Sequence, residues 1–218
     1  FAGERPVRSG RELVIGYLAR LAPEKGLAVL VDAFLALRSR PNTEHVRLRI
    51  AGWMGEHRRA FVDEQKAKLK TAGLESCVEF LGEVDRRGKV EFLRGLDLLS
   101  VPATYDEPKG LYVLEGLAAG TPYVQPAHGA FPEIHERLGG GLLVTPNDPA
   151  RLADGWEQLL RDEVRRETLG REGQAAVRRL ASSAYLTERM LATYAAILGA
   201  SSAKPAATEA ALSRGNQG

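Results

Sequence analysis

Two glutamates, Glu107 and Glu115, stand eight residues apart on either side of Gly110. The glycine precedes an apolar run, residues 111–119, that reads as a short helix closed by Gly120 and Pro122. Before it, residues 96–101 are mostly apolar and read as a buried strand ending at Pro102. Glu107 then lies on a polar loop. Glu115 lies about one and a half turns into the helix, at ~3.6 residues per turn. In an open parallel sheet, ligands bind beyond the carboxyl ends of the strands. The first amides of the helix, at Gly110, Leu111 and Tyr112, together with the helix dipole, make a site for a phosphate. A carboxylate at Glu115 can accept two hydrogen bonds from a vicinal diol such as a ribose. Glu107 can reach hydroxyls beyond the phosphate. Diphosphate, ribose and sugar are the parts of a nucleotide sugar.

A second group of candidates lies near the amino end. The loop Arg20-Leu-Ala-Pro-Glu-Lys25-Gly26 follows an apolar run suited to a buried parallel strand, Leu13-Val-Ile-Gly-Tyr-Leu18. After the loop, Leu27, Leu30, Val31, Phe34, Leu35 and Leu37 recur with helical spacing. Two cations at a strand end, beside a glycine that lets the backbone approach closely, suit a diphosphate. Arg20 can bind two oxygens at once, and Lys25 acts as a point charge.

The stretch Glu107-Pro-Lys-Gly-Leu-Tyr-Val-Leu-Glu115-Gly-Leu-Ala-Ala-Gly-Thr-Pro resembles the E-x7-E signature of retaining glycosyltransferases. It is most similar to the large group 1, or family 4, set with the GT-B fold. One departure is Lys109, where the family commonly has an aromatic before the glycine. The resemblance implies that Glu115 holds the ribose and that Glu107 contacts the donor sugar. It also implies that Arg20 and Lys25 bind the donor diphosphate and stabilise it as leaving group. Arg20, Lys25 and Glu107 are thus the expected catalytic residues. Backbone groups at Phe80 and Leu81 are expected at the nucleobase, and the loop with His128 and Gly129 beside the sugar. His128 there either hydrogen-bonds sugar hydroxyls or serves as a structural loop histidine. The donor is a substrate, and neither a separate cofactor nor a metal is expected.

The rest of the chain supplies the elements that position these residues. Residues 46–51 alternate, which suggests a strand with a half-exposed face or at an edge. Gly52-Trp-Met-Gly55 follows, without the third glycine of a dinucleotide fingerprint. A charged helix over 56–72, with Phe61, Val62 and Leu69 inside, leads to a strand at 78–82 and a helix at 88–95. A strand at 123–125 and a turn with the last strand over 139–144 come next, with helices after Asn147-Asp-Pro149 and over 164–180 and 185–198. The expected fold is α/β: a Rossmann-like parallel sheet flanked by helices, equal to one half of a GT-B fold. Residues 1–12 read as a linker from an N-terminal acceptor-binding domain missing here. Residues 13–198 read as the nucleotide-sugar-binding domain, and 199–218 as a disordered tail.

Composition bounds the function. A net charge of +2 gives no strong pull on nucleic acid. The one cysteine, Cys77, rules out a disulfide within this chain and a zinc cluster built on cysteines. No stretch approaches the ~20 apolar residues of a membrane span. No G-x-S-x-G elbow and no Walker loop appear. The expected partners are a nucleotide sugar and the missing N-terminal domain, with peripheral membrane contact open only through that half. The expected location is the cytoplasm, where nucleotide sugars are made. Sugar transfer by the intact protein is the leading reading, with this piece inactive alone. A non-catalytic nucleotide-sugar-binding or interaction domain is the alternative, as is a GT-B-like epimerase or phosphorylase. Base, sugar and acceptor are not legible.

Overall fold

Six short apolar runs become β1 (Leu13–Leu18), β2 (Val46–Ala51), β3 (Val78–Gly82), β4 (Leu98–Leu99), β5 (Tyr123–Pro126) and β6 (Gly141–Val144). They were placed by a computed structural model that describes residues 12–198. The helices are α1 (Leu27–Arg38), α2 (Arg59–Thr71), α3 (Arg86–Arg94), α4 (Leu111–Ala118), α5 (Phe131–Leu138), α6 (Pro149–Arg161), α7 (Glu163–Leu180) and α8 (Ser183–Ile197). Residues 1–11 of the expected linker and the expected tail, 199–218, lie outside the described residues. The chain divides into two units, Phe1–Leu180 and Ala181–Gly218. In the second, Ser182 caps α8 by accepting from the Tyr185 amide at 3.3 Å.

The strands pair in the order β3-β2-β1-β4-β5-β6, every pair parallel. This is a doubly wound, Rossmann-like sheet. From β1 the chain winds outward to β3, then returns to β4 and winds outward the other way. The order therefore reverses between β1 and β4, and the loops leaving these two strands diverge above a crevice.

Burial explains the layers. α1 packs against α2 and α6, and buries Leu27, Leu30, Val31, Ala33, Phe34 and Leu37. Across the sheet, α4 packs against α3 and α7, and α5 against α7. Val14 and Leu18 of β1 join Phe92, Leu93, Leu96 and Leu99 in one buried apolar cluster. Each such leucine or phenylalanine contributes about 1.5–3 kcal/mol on burial. A rigid sheet follows, and its loops inherit fixed starting points.

Several details differ from the sequence reading. Of the two readings offered for β2, the half-exposed face holds and the edge does not: the strand lies between β1 and β3. Its alternation arises because half-buried Arg47 and Arg49 bond Glu12 at 2.9 Å and Glu79 at 2.6 Å, while Val46, Leu48 and Ile50 are buried. β4 is only two residues long, because the chain turns after Val101, where the Ala103 amide donates to the Val101 carbonyl at 2.8 Å. α2 begins at Arg59, after one tighter turn over Glu56–Arg58. α3 begins at Arg86, earlier than Gly88, because Asp85 caps it by accepting from the Gly88 amide at 2.7 Å.

Candidate active site in the crevice

Lys25 sits on the loop leaving β1, in a single helical turn over Pro23–Lys25 that ends at Gly26. Gly26 has φ 73°, and a side-chain carbon there would lie 1.7 Å from the Pro102 carbonyl oxygen. Only glycine allows this contact between the β1 and β4 loops. The Thr104 amide adds a bond to the Glu24 carbonyl at 3.0 Å. The two loops that diverge at the crevice are thus joined at its floor.

That junction brings Lys25 to Glu107. The lysine Nζ donates to Glu107 Oε2 and to the Tyr105 hydroxyl, both at 2.5 Å. Tyr105 in turn donates to the same Oε2 at 2.8 Å, and Tyr112 approaches it at 3.4 Å. The amides of Lys109 and Gly110 face the other oxygen, Oε1, at 3.4 and 3.5 Å. Both charged side chains are nearly buried, with 12% of Lys25 and 8% of Glu107 exposed.

Burial alone would push the Glu107 carboxyl up. The hydrogen bonds from Lys25 and Tyr105 and the lysine charge outweigh it, and hold Glu107 below the usual carboxylate range. Burial likewise pulls the Lys25 ammonium down, but its bonds to Glu107 and Tyr105 hold it above the ordinary lysine value. Both groups are charged at neutral pH. Burial, with the Glu107 charge added, drives the Tyr112 phenol far up, so it stays protonated.

From Gly110 the chain enters α4. Among the described residues, no group accepts from the amides of Leu111 and Tyr112. The expected free amide of Gly110 is instead turned toward Glu107 at long range. Glu115, on the next turn of α4, bonds Lys89 of α3 at 2.9 Å and is about one-third exposed. On the other side, the Gly129 loop leans on Glu107. Gly129 has φ 57°, and a side-chain carbon there would lie 2.5 Å from the Glu107 amide nitrogen. The Ala130 amide donates to the Glu107 carbonyl at 2.8 Å.

Not every expected residue joins this cluster. Arg20 is on the same loop as Lys25, but its side chain is 58% exposed and pairs with Glu24 at 3.4 Å. Phe80 and Leu81 stand on edge strand β3, three strand positions from β4, or ~14 Å at ~4.8 Å per strand. The Phe80 ring carries Lys66, 4.8 Å from its centre. His128 shares its Nε2 with the Ala103 carbonyl at 2.9 Å, and its Nδ1 lies 3.6 Å from Asp106. In this structure the imidazole therefore ties the β5 loop to the β4 loop.

A family model described as glycosyl transferases group 1 matches residues 4–176. The chain belongs to this family. It is 36% identical over 157 residues to a phosphatidyl-myo-inositol mannosyltransferase of Mycobacterium leprae, covering 72% of this chain and 39% of that one. It is 31% identical over 189 residues to a D-inositol 3-phosphate glycosyltransferase of Corynebacterium efficiens, covering 83% of this chain and 44% of that one. The crystal structure of Anabaena HepE in complex with UDP and glucose superposes with a TM-score of 0.76 at 26% identity. That match covers 85% of this chain and 49% of the Anabaena chain. This group 1 chain thus spans about two fifths of the length of these curated relatives, 39% and 44%.

Two contributors escaped the sequence reading. Tyr105, two residues before Glu107, is bonded to both members of the buried pair. Its signal was an aromatic beside a motif glutamate. Lys89 reaches Glu115 from α3, 26 residues earlier in the chain, and no local pattern marks it. Among the described residues, no group of three or more His, Cys, Asp or Glu could hold a metal ion. No helix among them is long and apolar enough to cross a membrane.

Proposed function

We propose that this chain is the C-terminal, donor-binding half of a retaining glycosyltransferase of family 4, GT-B fold. The intact protein would move a sugar from a nucleotide diphosphosugar to an acceptor hydroxyl. The observation that carries this reading is the crevice between β1 and β4. There a charged, nearly buried Lys25 and two unengaged amides of α4 meet beside Glu107. This is a site for a dianionic diphosphate with sugar hydroxyls next to it. The UDP and glucose bound by the superposed Anabaena protein fit the same reading.

The chemistry asks more of the leaving group than of a base. The bond between the sugar's anomeric carbon and the diphosphate oxygen breaks, and its electron pair goes to the diphosphate. The acceptor oxygen forms the new bond to that carbon on the face the diphosphate leaves, and the hydroxyl proton passes to a departing phosphate oxygen. Charge therefore develops on the diphosphate, where the Lys25 ammonium and the Leu111 and Tyr112 amides lower its energy. Arg20, exposed on the same loop, can swing to the outer phosphate oxygens. Glu115 would accept from the ribose diol, and Glu107 from a sugar hydroxyl. Backbone groups at Phe80 and Leu81, at the end of β3, would meet the nucleobase end of the donor. These cations and amides do the work of a metal in this reading. The donor implies a cytoplasmic protein, and the acceptor is bound by the N-terminal half.

The test is transfer by the full-length protein from a panel of UDP-, GDP- and ADP-sugars, with the product followed by NMR. The expected product keeps the donor's anomeric configuration. An inverted product would remove the retaining mechanism. Donor hydrolysis or epimerisation without transfer would remove the transferase reading. A full-length protein that binds donor but never transfers it would favour a binding domain.

A further inference from the structure

Among the described residues, Tyr105 is the one group hydrogen-bonded to both charges of the buried pair. Its hydroxyl oxygen accepts from Lys25 at 2.5 Å, and its proton goes to Glu107 Oε2 at 2.8 Å. We propose that Tyr105 is a positioning residue that lets Lys25 be shared between Glu107 and a donor diphosphate. The inference rests on the donor-binding reading of the crevice and assigns a residue that reading does not use.

Lys25 has three donor hydrogens, and two are taken by Glu107 and Tyr105. The third is left for a phosphate oxygen. Glu107, nearly buried, must stay satisfied while its lysine is drawn toward that phosphate. The Tyr105 hydroxyl is its shortest neutral donor; Tyr112 at 3.4 Å and the amides at 3.4 and 3.5 Å are longer. Without the Tyr105 hydroxyl, Glu107 depends on Lys25 alone for a short bond. The lysine is then tied to the carboxylate, and a phosphate must compete for it. Tyr105 also fixes the direction of the ammonium, because two acceptors define its orientation where one leaves it free to rotate.

The experiment uses the 218-residue chain and its Tyr105→Phe variant, with Tyr194→Phe, the same change at an exposed tyrosine of α8, as a control. UDP, GDP and ADP are titrated calorimetrically, and the Lys25 ammonium is followed by its nitrogen-15 signal, assigned with Lys25→Arg. Tyr105→Phe keeps the ring and removes only the hydroxyl. The expected result is about tenfold weaker binding of the nucleotide that wild type binds, as for a lost hydrogen bond to a charged group. The ammonium signal should also broaden or vanish through faster proton exchange. Tyr194→Phe should change neither. Unchanged affinity in Tyr105→Phe overturns the proposal, and so does a loss of affinity with the ammonium signal intact. Wild type that binds none of the three nucleotides removes the donor reading itself, an outcome distinct from either.

Discussion

Among the described residues, two lysine–glutamate pairs involve the E-x7-E segment, and they differ in environment. Lys25 meets Glu107 at 2.5 Å with 12% and 8% of the side chains exposed. Lys89 meets Glu115 at 2.9 Å with 33% and 30% exposed. The first pair is enclosed by Tyr105, Tyr112 and two amides. The second bridges α3 and α4 at the half-open surface. A buried pair is costly to break, because either partner left alone is an uncompensated charge. A half-exposed pair is cheap to exchange, because water replaces what is lost. The inner pair thus belongs to the architecture of the crevice, and the outer pair leaves Glu115 partly open to solvent.

The largest effect should come from removing one inner partner. Glu107→Ala is expected to cost about 3 kcal/mol of stability, whereas Glu115→Ala changes it by no more than about 0.5 kcal/mol. Urea unfolding of both variants checks this. Equal costs would erase the distinction between the pairs. Next comes the support of the inner pair. Gly129→Ala forces a side chain onto the Glu107 backbone at a left-handed φ of 57°. It is expected to cost about 2 kcal/mol and to weaken nucleotide binding with it.

How much of this was legible in sequence follows from the same contrast. Glu107, Gly110 and Glu115 were readable because they share one local segment, where spacing alone places them on a loop and a helix. Lys25 was readable as a cation at a strand end. Its bond to Glu107 was not, because it spans 82 residues and depends on Gly26 touching Pro102. The parallel sheet was readable from its apolar runs, and so was the half-exposed face of β2, but its place inside the sheet was not. Half-buried Arg47 and Arg49, paired with Glu12 and Glu79, give the same alternation that an edge strand would. The start of α3 was missed because the cap Asp85 lies before an arginine pair that carries no apolar signal.

Acid pH should separate the pairs more gently. The Glu107 carboxyl is held below its ordinary value in the folded state. Its contribution is therefore present above the unfolded value, about 4.3, and is lost as pH falls through the lower folded value. Lys25 is held above its ordinary value, so its contribution is complete below pH ~10.4 and is lost only as pH rises beyond that. The stability gap between wild type and Glu107→Gln should hold steady across neutral pH and narrow below about pH 4. A gap that narrows between pH 5 and pH 7, a window of about two units above the carboxylate range, would contradict the assignment. The smallest effect is expected at the outer pair: Lys89→Ala should change stability by no more than about 0.5 kcal/mol. It should leave nucleotide binding within about threefold, since Glu115 keeps its place on α4. A larger loss would make Lys89 part of the ligand site.

The most direct measurement is calorimetric titration of this chain with UDP, GDP and ADP, beside Lys25→Ala and Glu115→Ala. Saturable binding of one nucleotide, weakened at least about tenfold in both variants, is the predicted result. Binding that both variants retain in full would place the nucleotide elsewhere and contradict the crevice between β1 and β4 as the donor site.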